Sequence, residues 1–250
     1  MSWIVWRWRQ TAAVVNEPLL TAVRQGLAAL ADPAKAPGMQ AYMKSVMLYR
    51  GVHAPAQERL FRRVFAEHPL AGVADWRDTV LALWRRAAFR EERYAAIALS
   101  GHRLYRAHQT PATVPMYEEM IVTGAWWDYV DAVATNRIGP LVRAHPGALK
   151  PVMRGWSTDV DLWRRRTSIL CQIGAKADTD LDLLYACIEP NLADRDFFIR
   201  KAIGWALRQY AWIDPAEVTR YVEQAGDRLS GLSRREALKN VARIRDGSGR

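Results

Sequence analysis

The sequence has little cysteine and no long apolar run, and each shortage excludes a class of protein. Two cysteines, Cys171 and Cys187, are too few for a disulfide framework. Both lie in apolar segments with helical spacing, so we predict two buried thiols in a reducing cytoplasm. No stretch approaches the roughly 18 consecutive apolar residues that a membrane-spanning helix needs. We therefore expect no transmembrane segment.

Recognisable metal and nucleotide motifs are also missing. The five histidines do not have the spacing of metal ligands, and neither cysteine has a nearby cysteine or histidine partner. A glycine-rich phosphate loop and the dinucleotide-binding fingerprint are absent from the sequence. We therefore expect no metal centre and no cofactor.

Acidic residues are too few to balance the basic ones. Lysine and arginine total 36 against 26 aspartate and glutamate residues, which gives a formal net charge of +10. This excess favours a polyanionic partner, with DNA or RNA preferred over an anionic membrane surface. A basic soluble protein without such a partner is the alternative.

The first residues are rich in tryptophan. Trp3, Trp6 and Trp8 are interleaved with arginines, and the apolar part is too short and interrupted for a signal peptide. We expect a docked or disordered tail there. No low-complexity linker follows, so we predict an N-terminal extension with a helix over residues 1–36 and one continuous solenoid domain over residues 37–250.

Apolar residues recur at three- and four-residue spacing along nearly the whole chain, which predicts an all-α protein. No alternating apolar run indicates a strand. The predicted helical segments are 18–30, 38–49, 55–67, 76–87, 91–106, 114–122, 125–134, 138–144, 148–156, 161–173, 180–192, 194–213, 215–223 and 233–244.

The starts of two helices have recognisable capping chemistry. Asp214 before Pro215 predicts an N-cap followed by proline at the first helical position, and Ser233 with Glu236 predicts a capping box. Many short helices joined by short turns favour antiparallel pairs stacked as in a HEAT-like solenoid. A compact irregular bundle is the alternative.

Adjacent tryptophans occur in GAWWDYVDAVA, residues 124–134. Neighbouring residues on a helix point about 100° apart, so the two indoles cannot share one buried stripe. We assign Trp126 to the core stripe that continues through Tyr129, Val130 and Val133. Trp127 and Asp131 then lie together on the flank, one helical turn apart.

Two further segments have unusual residues beside or within their apolar stripes. In FFIRKAIGWALRQY, Phe198 and Trp205 lie to one side of an apolar stripe formed by Ile199, Ala202, Ile203, Ala206 and Tyr210. In DLWRRRTSIL, Arg166 falls inside it, so its guanidinium needs a protein carboxylate or a phosphate as partner. Each residue alone is readily explained by packing or by a surface charge. Together they indicate an electron-rich pocket beside a phosphate-binding surface.

Five strings resemble the AlkD-like family of bacterial DNA alkylation-repair glycosylases over residues 37–241. They are AYMKSVMLYRGVHAPAQERL, GAWWDYVDAVA, DLWRRRTSILCQ, FFIRKAIGWALRQYA and LSRREALKNV. The resemblance implies an all-α, HEAT-like solenoid, curved into a C, whose basic concave face grips duplex DNA. It also implies a cytoplasmic, nucleoid-associated monomer without cofactors.

The resemblance further implies an activity and its residues. The activity is hydrolysis of the N-glycosidic bond of positively charged N3- or N7-alkylated purines, including bulky adducts, without base flipping. The catalytic residues implied are Asp131, Trp127 and Trp205. The DNA-binding residues expected are Arg166, Tyr42, His53, Lys44, Arg154, Arg164, Arg165, Arg200, Lys201 and Arg208. His53 departs from the glutamine expected there. The alternative functions are a non-catalytic binder of bent or branched DNA and a helical scaffold for proteins.

Overall fold

The computed structural model describes residues 14–247, and within that range the chain is helical without β-strands. The all-α prediction is confirmed. Leu48 and Phe89 form an isolated β-bridge. Trp3, Trp6 and Trp8 lie outside the described residues. Among the described helices, none combines the length and apolar character needed to cross a membrane.

The chain divides into two compact units, the first ending at Gln109 and the second beginning at Thr110. The division into an extension and one continuous domain stays a prediction. The described part of the first unit contains five α-helices: α1 (Glu17–Ala29), α2 (Ala36–Met43), α3 (Ala54–Glu67), α4 (Val73–Arg85) and α5 (Arg90–Ser100). A 3-10 segment, Arg103–His108, follows α5.

The core of the first unit forms around α1, which packs against α3, α4 and α5. Asn16 caps α1 by accepting a hydrogen bond from the backbone N–H of Leu19. The four leucine and valine residues on the inner face of α1 are fully buried, namely Leu19, Leu20, Val23 and Leu27. Their spacing over three turns is that of an amphipathic helix. The segment predicted as an extension therefore includes a core helix.

The second unit continues with ten α-helices in its described residues. They are α6 (Val114–Gly124), α7 (Trp127–Val133), α8 (Gly139–Ala144), α9 (Pro146–Trp156), α10 (Leu162–Leu170), α11 (Leu181–Ile188), α12 (Phe197–Tyr210), α13 (Pro215–Ala225), α14 (Gly231–Ala237) and α15 (Lys239–Arg245). Short 3-10 segments lie at Pro111–Thr113, Lys176–Asp178, Glu189–Asn191 and Gly226–Arg228.

Aspartate side chains start several of these helices. Asp161, Asp180 and Asp196 each accept backbone N–H bonds in the first turn of α10, α11 and α12. Asp214 caps α13 in the same way, as predicted. These caps satisfy N–H groups that would otherwise lack helical partners.

The predicted capping box at Ser233 and Glu236 is wrong. Helix α14 begins at Gly231, and Ser230 is its N-cap, accepting from the backbone N–H of Ser233. The box pattern fits the spacing of serine and glutamate, but a second serine three residues earlier takes the capping position. The Glu236 carboxylate is free for other partners because it lies in the body of the helix.

The placement of Trp126 in the α7 stripe is also wrong. Ala125 ends α6 in the left-handed region with φ +42°, and Trp126 has an extended backbone in the N-cap position of α7. Helix α7 therefore starts at Trp127, two residues later than predicted. The rest of the stripe is confirmed, since Tyr129 and its neighbouring valines are buried.

A π-helical turn at Ala134–Ile138 joins α7 to α8. Gly139 follows it, and a Cβ atom there would lie 2.3 Å from the carbonyl oxygen of Cys171. Glycine is therefore required for the close approach between this helical stretch and the end of α10. Helix α10 packs against α7 and against the π-helical turn in this region.

The predicted stripe of helix α12 is confirmed except at Tyr210, which is half-buried. Ile199, Ala202, Ile203 and Ala206 are buried. Its closest neighbour is α14, which passes over Gly204 at a point where a Cβ atom would lie 2.5 Å from the Cβ of Glu236. The glycine lets α14 bring Glu236 against α12.

Candidate active site

Helix α7 carries the acid and one of the indoles singled out in the sequence. Trp127 is its first residue, and Asp131 follows one turn later, so their Cβ atoms lie about 5–6 Å apart. Trp127 is half-buried. The Asp131 side chain is only 14% exposed. The indole and the carboxylate therefore share one side of the helix, next to the first turn.

Arg166 of α10 supplies the partner of this carboxylate. Its Nε donates to Oδ1 of Asp131 at 2.7 Å, and its Nη2 donates to Oδ2 at 2.8 Å. The Arg166 side chain is 4% exposed. Of the two partners that the sequence left open, carboxylate or phosphate, the structure shows the carboxylate. A two-point pair of this kind fixes orientation as well as charge.

Phe198 at the start of α12 completes the arginine's contacts. Nη1 of Arg166 donates to the Phe198 carbonyl oxygen, and its guanidinium carbon lies 5.8 Å from the centroid of the Phe198 ring. Each guanidinium nitrogen thus has an acceptor within the second unit. The arginine connects α7, α10 and α12.

An aromatic cluster lies behind this connection. The ring centroids of Trp126 and Phe198 are 5.5 Å apart, those of Trp163 and Phe198 are 5.1 Å apart, and those of the two indoles are 6.4 Å apart. The indole N–H of Trp126 is buried without a hydrogen-bond partner in the described part of the chain. These ring contacts hold Phe198 in place. The backbone carbonyl of Phe198 in turn accepts a hydrogen bond from Arg166 and helps to fix its position.

Burial and the arginine have opposite effects on the acid. Burial raises the pKa of the Asp131 carboxyl above its ordinary value, the hydrogen bonds and charge of Arg166 lower this pKa, and the nearby Asp128 raises it. The net pKa of Asp131 is raised. Arg166 therefore favours the ionised form of the carboxylate in a site whose burial disfavours charge.

The second predicted indole, Trp205, lies on α12 and is half-buried. It follows Phe198 by seven residues, which places both side chains on the same side of the helix, about 10 Å apart along its axis. Asp131 is hydrogen-bonded to Arg166, which contacts Phe198, so Trp205 lies two helical turns beyond the residue of α12 that Arg166 contacts.

Two predicted DNA-binding arginines of α10 are already paired within the protein. Arg164 lies 2.8 Å from the carboxylate of Glu118 and 3.2 Å from that of Asp159. Arg165 lies 3.1 Å from Asp194. These carboxylates offset part of the positive charge that the sequence predicted for this helix.

The remaining predicted cations of the second unit differ in their surroundings. Arg154 is exposed. Arg200 donates from Nε to the backbone carbonyl of Asp194 at 2.9 Å. Lys201 and Arg208 are both bound to Glu236.

The three predicted contacts from the first motif lie in the first unit. Tyr42 is 78% exposed. Lys44 ends α2 in the left-handed region with φ +49° and is exposed. His53 is exposed and occupies the N-cap position of α3, where its side chain makes no capping bond. All three side chains are accessible to a partner.

A buried glutamate holds the loop before His53. The carboxylate of Glu91 accepts backbone N–H bonds from Arg50, Gly51 and Val52 at 3.0–3.2 Å. Gly51 has φ +82°, and a Cβ there would lie 2.1 Å from the carbonyl oxygen of Asp32. The loop that presents His53 is therefore fixed from beneath.

Sequence reasoning missed the part played by several carboxylates. Glu236, on α14, binds Lys201 and Arg208 of α12. It also binds Lys239, the first residue of the next helix, α15. The spacing of Glu236 and Lys239, three residues apart, was a signal for one of these pairs. The pairs with α12 depend on tertiary packing, which helix periodicity does not show.

The two cysteines and the metal-binding residue types form no further site in the described chain. Cys171 and Cys187 are buried and free, as predicted. Among residues 14–247, no group of three or more histidine, cysteine, aspartate or glutamate side chains could hold a metal ion.

Comparison with known proteins identifies the family. The sequence model of the family described as "DNA alkylation repair enzyme" matches residues 23–241. Among solved structures, the chain is similar to a "Predicted DNA alkylation repair enzyme from Enterococcus faecalis", with a TM-score of 0.69 and 29% sequence identity, over 85% of this chain and 97% of that chain. No curated protein matches. The family match covers most of the described helices, including those that carry Asp131, Arg166 and Trp205, and the chain therefore belongs to the DNA alkylation repair enzyme family.

Proposed function

We propose that the protein is a DNA N-glycosylase that releases positively charged N3- or N7-alkylated purines from duplex DNA. The observation that carries this proposal is the Asp131–Arg166 pair, a largely buried carboxylate held by two hydrogen bonds beside Trp127. Membership of the DNA alkylation repair enzyme family supports a role in DNA repair. The net charge of +10 agrees with a DNA partner.

The chemistry needs little acid catalysis. An alkylated purine already carries a positive charge, so the electrons of the breaking C1′–N bond neutralise the base as it leaves. The deoxyribose then develops oxocarbenium character, as in glycoside hydrolysis. Water adds to C1′ and loses its proton to a base or to solvent.

Asp131 is proposed to stabilise the positive charge on the sugar and to orient the water. A carboxylate does this only when ionised, and burial works against ionisation. Arg166 has the role of keeping Asp131 charged and aimed. The Asp131–Arg166 pair is formally neutral. Asp131 can therefore stabilise the sugar only if its oxygens lie closer to the reacting atoms than the Arg166 guanidinium does.

Trp127 and Trp205 are proposed as the aromatic walls of the lesion site. An indole face attracts a cationic purine by about 0.5–2 kcal/mol. A neutral purine lacks this attraction and is a poorer leaving group. The two effects together predict discrimination in favour of cationic lesions without a snug base pocket. A lesion that stays in the duplex could then carry a bulky adduct.

In the second unit, the DNA backbone is proposed to contact the exposed Arg154 and the partly exposed Lys201 and Arg208. In the first unit it is proposed to contact Lys44, Tyr42 and His53, which are exposed. Arg166 is buried beside Asp131, so a phosphate could contact it only next to that carboxylate. Phosphate contacts release counterions, so affinity should fall steeply with salt.

The test is mass spectrometry of the bases released from duplex DNA treated with small and large alkylating agents. We expect free N3- and N7-alkylpurines from the wild type. Trp205→Ala should slow their release at least tenfold, and Trp205→Phe should retain part of the rate because a phenyl ring keeps a weaker cation attraction. Binding of undamaged duplex with no base released from any treated DNA would favour the alternative, a non-catalytic DNA binder.

A further inference from the structure

Glu236 of α14 binds three cations, two from α12 and one from α15. Its Oε1 lies 2.8 Å from Nζ of Lys201 and 2.5 Å from Nζ of Lys239, and its Oε2 lies 2.5 Å from Nη1 of Arg208. The carboxylate side chain is 5% exposed, whereas the cations are 36%, 49% and 23% exposed respectively. The Glu236 carboxylate is therefore buried within the cluster, whereas the three cations are partly exposed to solvent.

The cluster keeps a positive charge. Burial raises the pKa of Glu236. The hydrogen bonds from Lys201 and Lys239 and the charge of Arg208 outweigh this effect and lower the pKa to about 2. Glu236 is therefore ionised at neutral pH. Three positive groups and one negative group leave a net charge of +2 on this surface.

The backbone positions of the cluster are fixed by close packing. Gly204 lets Glu236 approach α12. The hydroxyl of Ser233 donates to the carbonyl of Arg200, and the side-chain amide of Asn240 donates to the carbonyl of Arg208, each at 2.8 Å. Both ends of the α12 segment are thus tied to α14 and α15. The cations start from anchored positions.

The cluster lies beside the proposed lesion site. Lys201, Trp205 and Arg208 are separated by four and three residues on α12, a spacing that puts them on one side of the helix. The indole lies between the two cations along the axis. A DNA backbone crossing this face next to Trp205 would meet both of them.

We propose that Lys201, Arg208 and Lys239, held together by Glu236, form a binding site for one phosphodiester of the DNA backbone next to Trp205. Glu236 is its positioning residue. This rests on the proposed function insofar as the partner is a DNA duplex. Mutual repulsion would spread three adjacent cations, and the central carboxylate offsets that repulsion while leaving charge for a phosphate. Their donors outnumber the oxygens of Glu236, so hydrogen bonds remain for the ligand.

The test compares Glu236→Gln with Glu217→Gln. Both changes remove one negative charge from the second unit. Glu217 binds Arg220 and Tyr185 instead of the cluster, and its pKa is also lowered to about 2, mainly by the hydrogen bonds from these two residues. The probe is an undamaged duplex, whose dissociation constant is measured over a range of salt concentrations. Thermal unfolding of each variant is recorded alongside.

We expect Glu236→Gln to bind the duplex at least fivefold more weakly than Glu217→Gln, with a shallower dependence on salt. Charge alone predicts equal or tighter binding for both variants. A purely structural role would lower the melting temperature without changing the salt slope. Equal affinities and slopes for the two variants would overturn the proposal.

Lys239→Gln keeps the test decisive if Glu236→Gln does not fold, because Lys239 is half exposed. We expect its salt slope to fall by a fraction of the roughly 0.9 that one whole phosphate contact contributes, because Lys201 and Arg208 remain, and the slope of the control Arg220→Gln to stay unchanged. An unchanged slope for Lys239→Gln would refute the phosphate site. These measurements need no base release, so a failure of the glycosylase proposal would be seen separately, as an absence of free alkylpurine.

Discussion

Replacing Arg166 with methionine should expose the conflict between burial and charge at Asp131. Methionine keeps an apolar side chain of similar length but removes both hydrogen bonds to the carboxylate. Hydrogen bonds to charged groups contribute about 1.5–3 kcal/mol each, and loss of one partner of a buried pair costs about 3–5 kcal/mol. A loss of about 3 kcal/mol corresponds to a rise of about 2 units in the pKa of Asp131.

The sign of the pH dependence follows from this rise. In Arg166→Met the folded state favours protonated Asp131 more strongly than wild type does. The stability gap between the two proteins should therefore be smallest at low pH, where it reflects mainly the lost hydrogen bond to the Phe198 carbonyl. It should grow by up to about 1.4 kcal/mol per pH unit as the pH rises from the wild-type pKa of Asp131 to that of the variant.

Urea unfolding of both proteins from pH 4 to pH 9 measures this gap, and single-turnover base release over the same range gives the activity. The rate of Arg166→Met should rise with pH in the window where wild type is already flat. Arg165→Met is the stability control, since its partner Asp194 is partly exposed and the pair contributes about 0–1 kcal/mol. A gap that stays constant with pH for Arg166→Met would refute the reasoning.

The remaining predictions concern packing, capping and acid stability. Gly204→Ala should lower the free energy of unfolding by about 1–3 kcal/mol, because its Cβ would lie 2.5 Å from the Cβ of Glu236; the matched change Gly155→Ala, which meets open space in α9, should be neutral or stabilising by up to about 1 kcal/mol in the same urea assay. Asp196→Ala should lower the free energy of unfolding by about 0.5–2 kcal/mol, because it removes the N-cap of α12. Asp182→Ala removes a carboxylate from the first turn of α11 but leaves its N-cap in place, so it should lower the free energy of unfolding in urea by less. Because the pKa of Glu236 is lowered from 4.5 to about 2, its contribution to stability is present above pH 4.5 and is lost as the pH falls from 4.5 towards 2, so acid unfolding of Glu236→Gln should be less steep in that window than that of wild type.

Local periodicity was sufficient to predict the helices and most of their buried faces. The α12 stripe of Ile199, Ala202, Ile203 and Ala206 is buried because burial of an amphipathic helix follows its own spacing. Trp126 fails this reasoning since the chain turns at Ala125, an alanine with positive φ that no turn pattern announces. The predicted helix began two residues too early, so the Trp126 indole was assigned to the buried stripe.

The partners of the charged groups could only be anticipated as types. Arg166 within an apolar stripe required an anionic partner, but its identity as Asp131 depends on how α10 packs against α7, which the sequence does not specify. Glu236 was assigned to a helix cap because serine and glutamate had the right spacing. The structure instead places it over Gly204, where it meets cations that lie about 30 residues earlier in the chain.

The most direct measurement is single-turnover release of 7-methylguanine from a defined duplex by wild type and by Asp131→Asn, at protein concentrations that saturate the DNA. The central claim is that an ionised Asp131, held by Arg166, stabilises the developing charge on the sugar. It predicts a rate at least tenfold lower for Asp131→Asn, with binding of the undamaged duplex retained. An asparagine variant that releases the base as fast as wild type would contradict the claim.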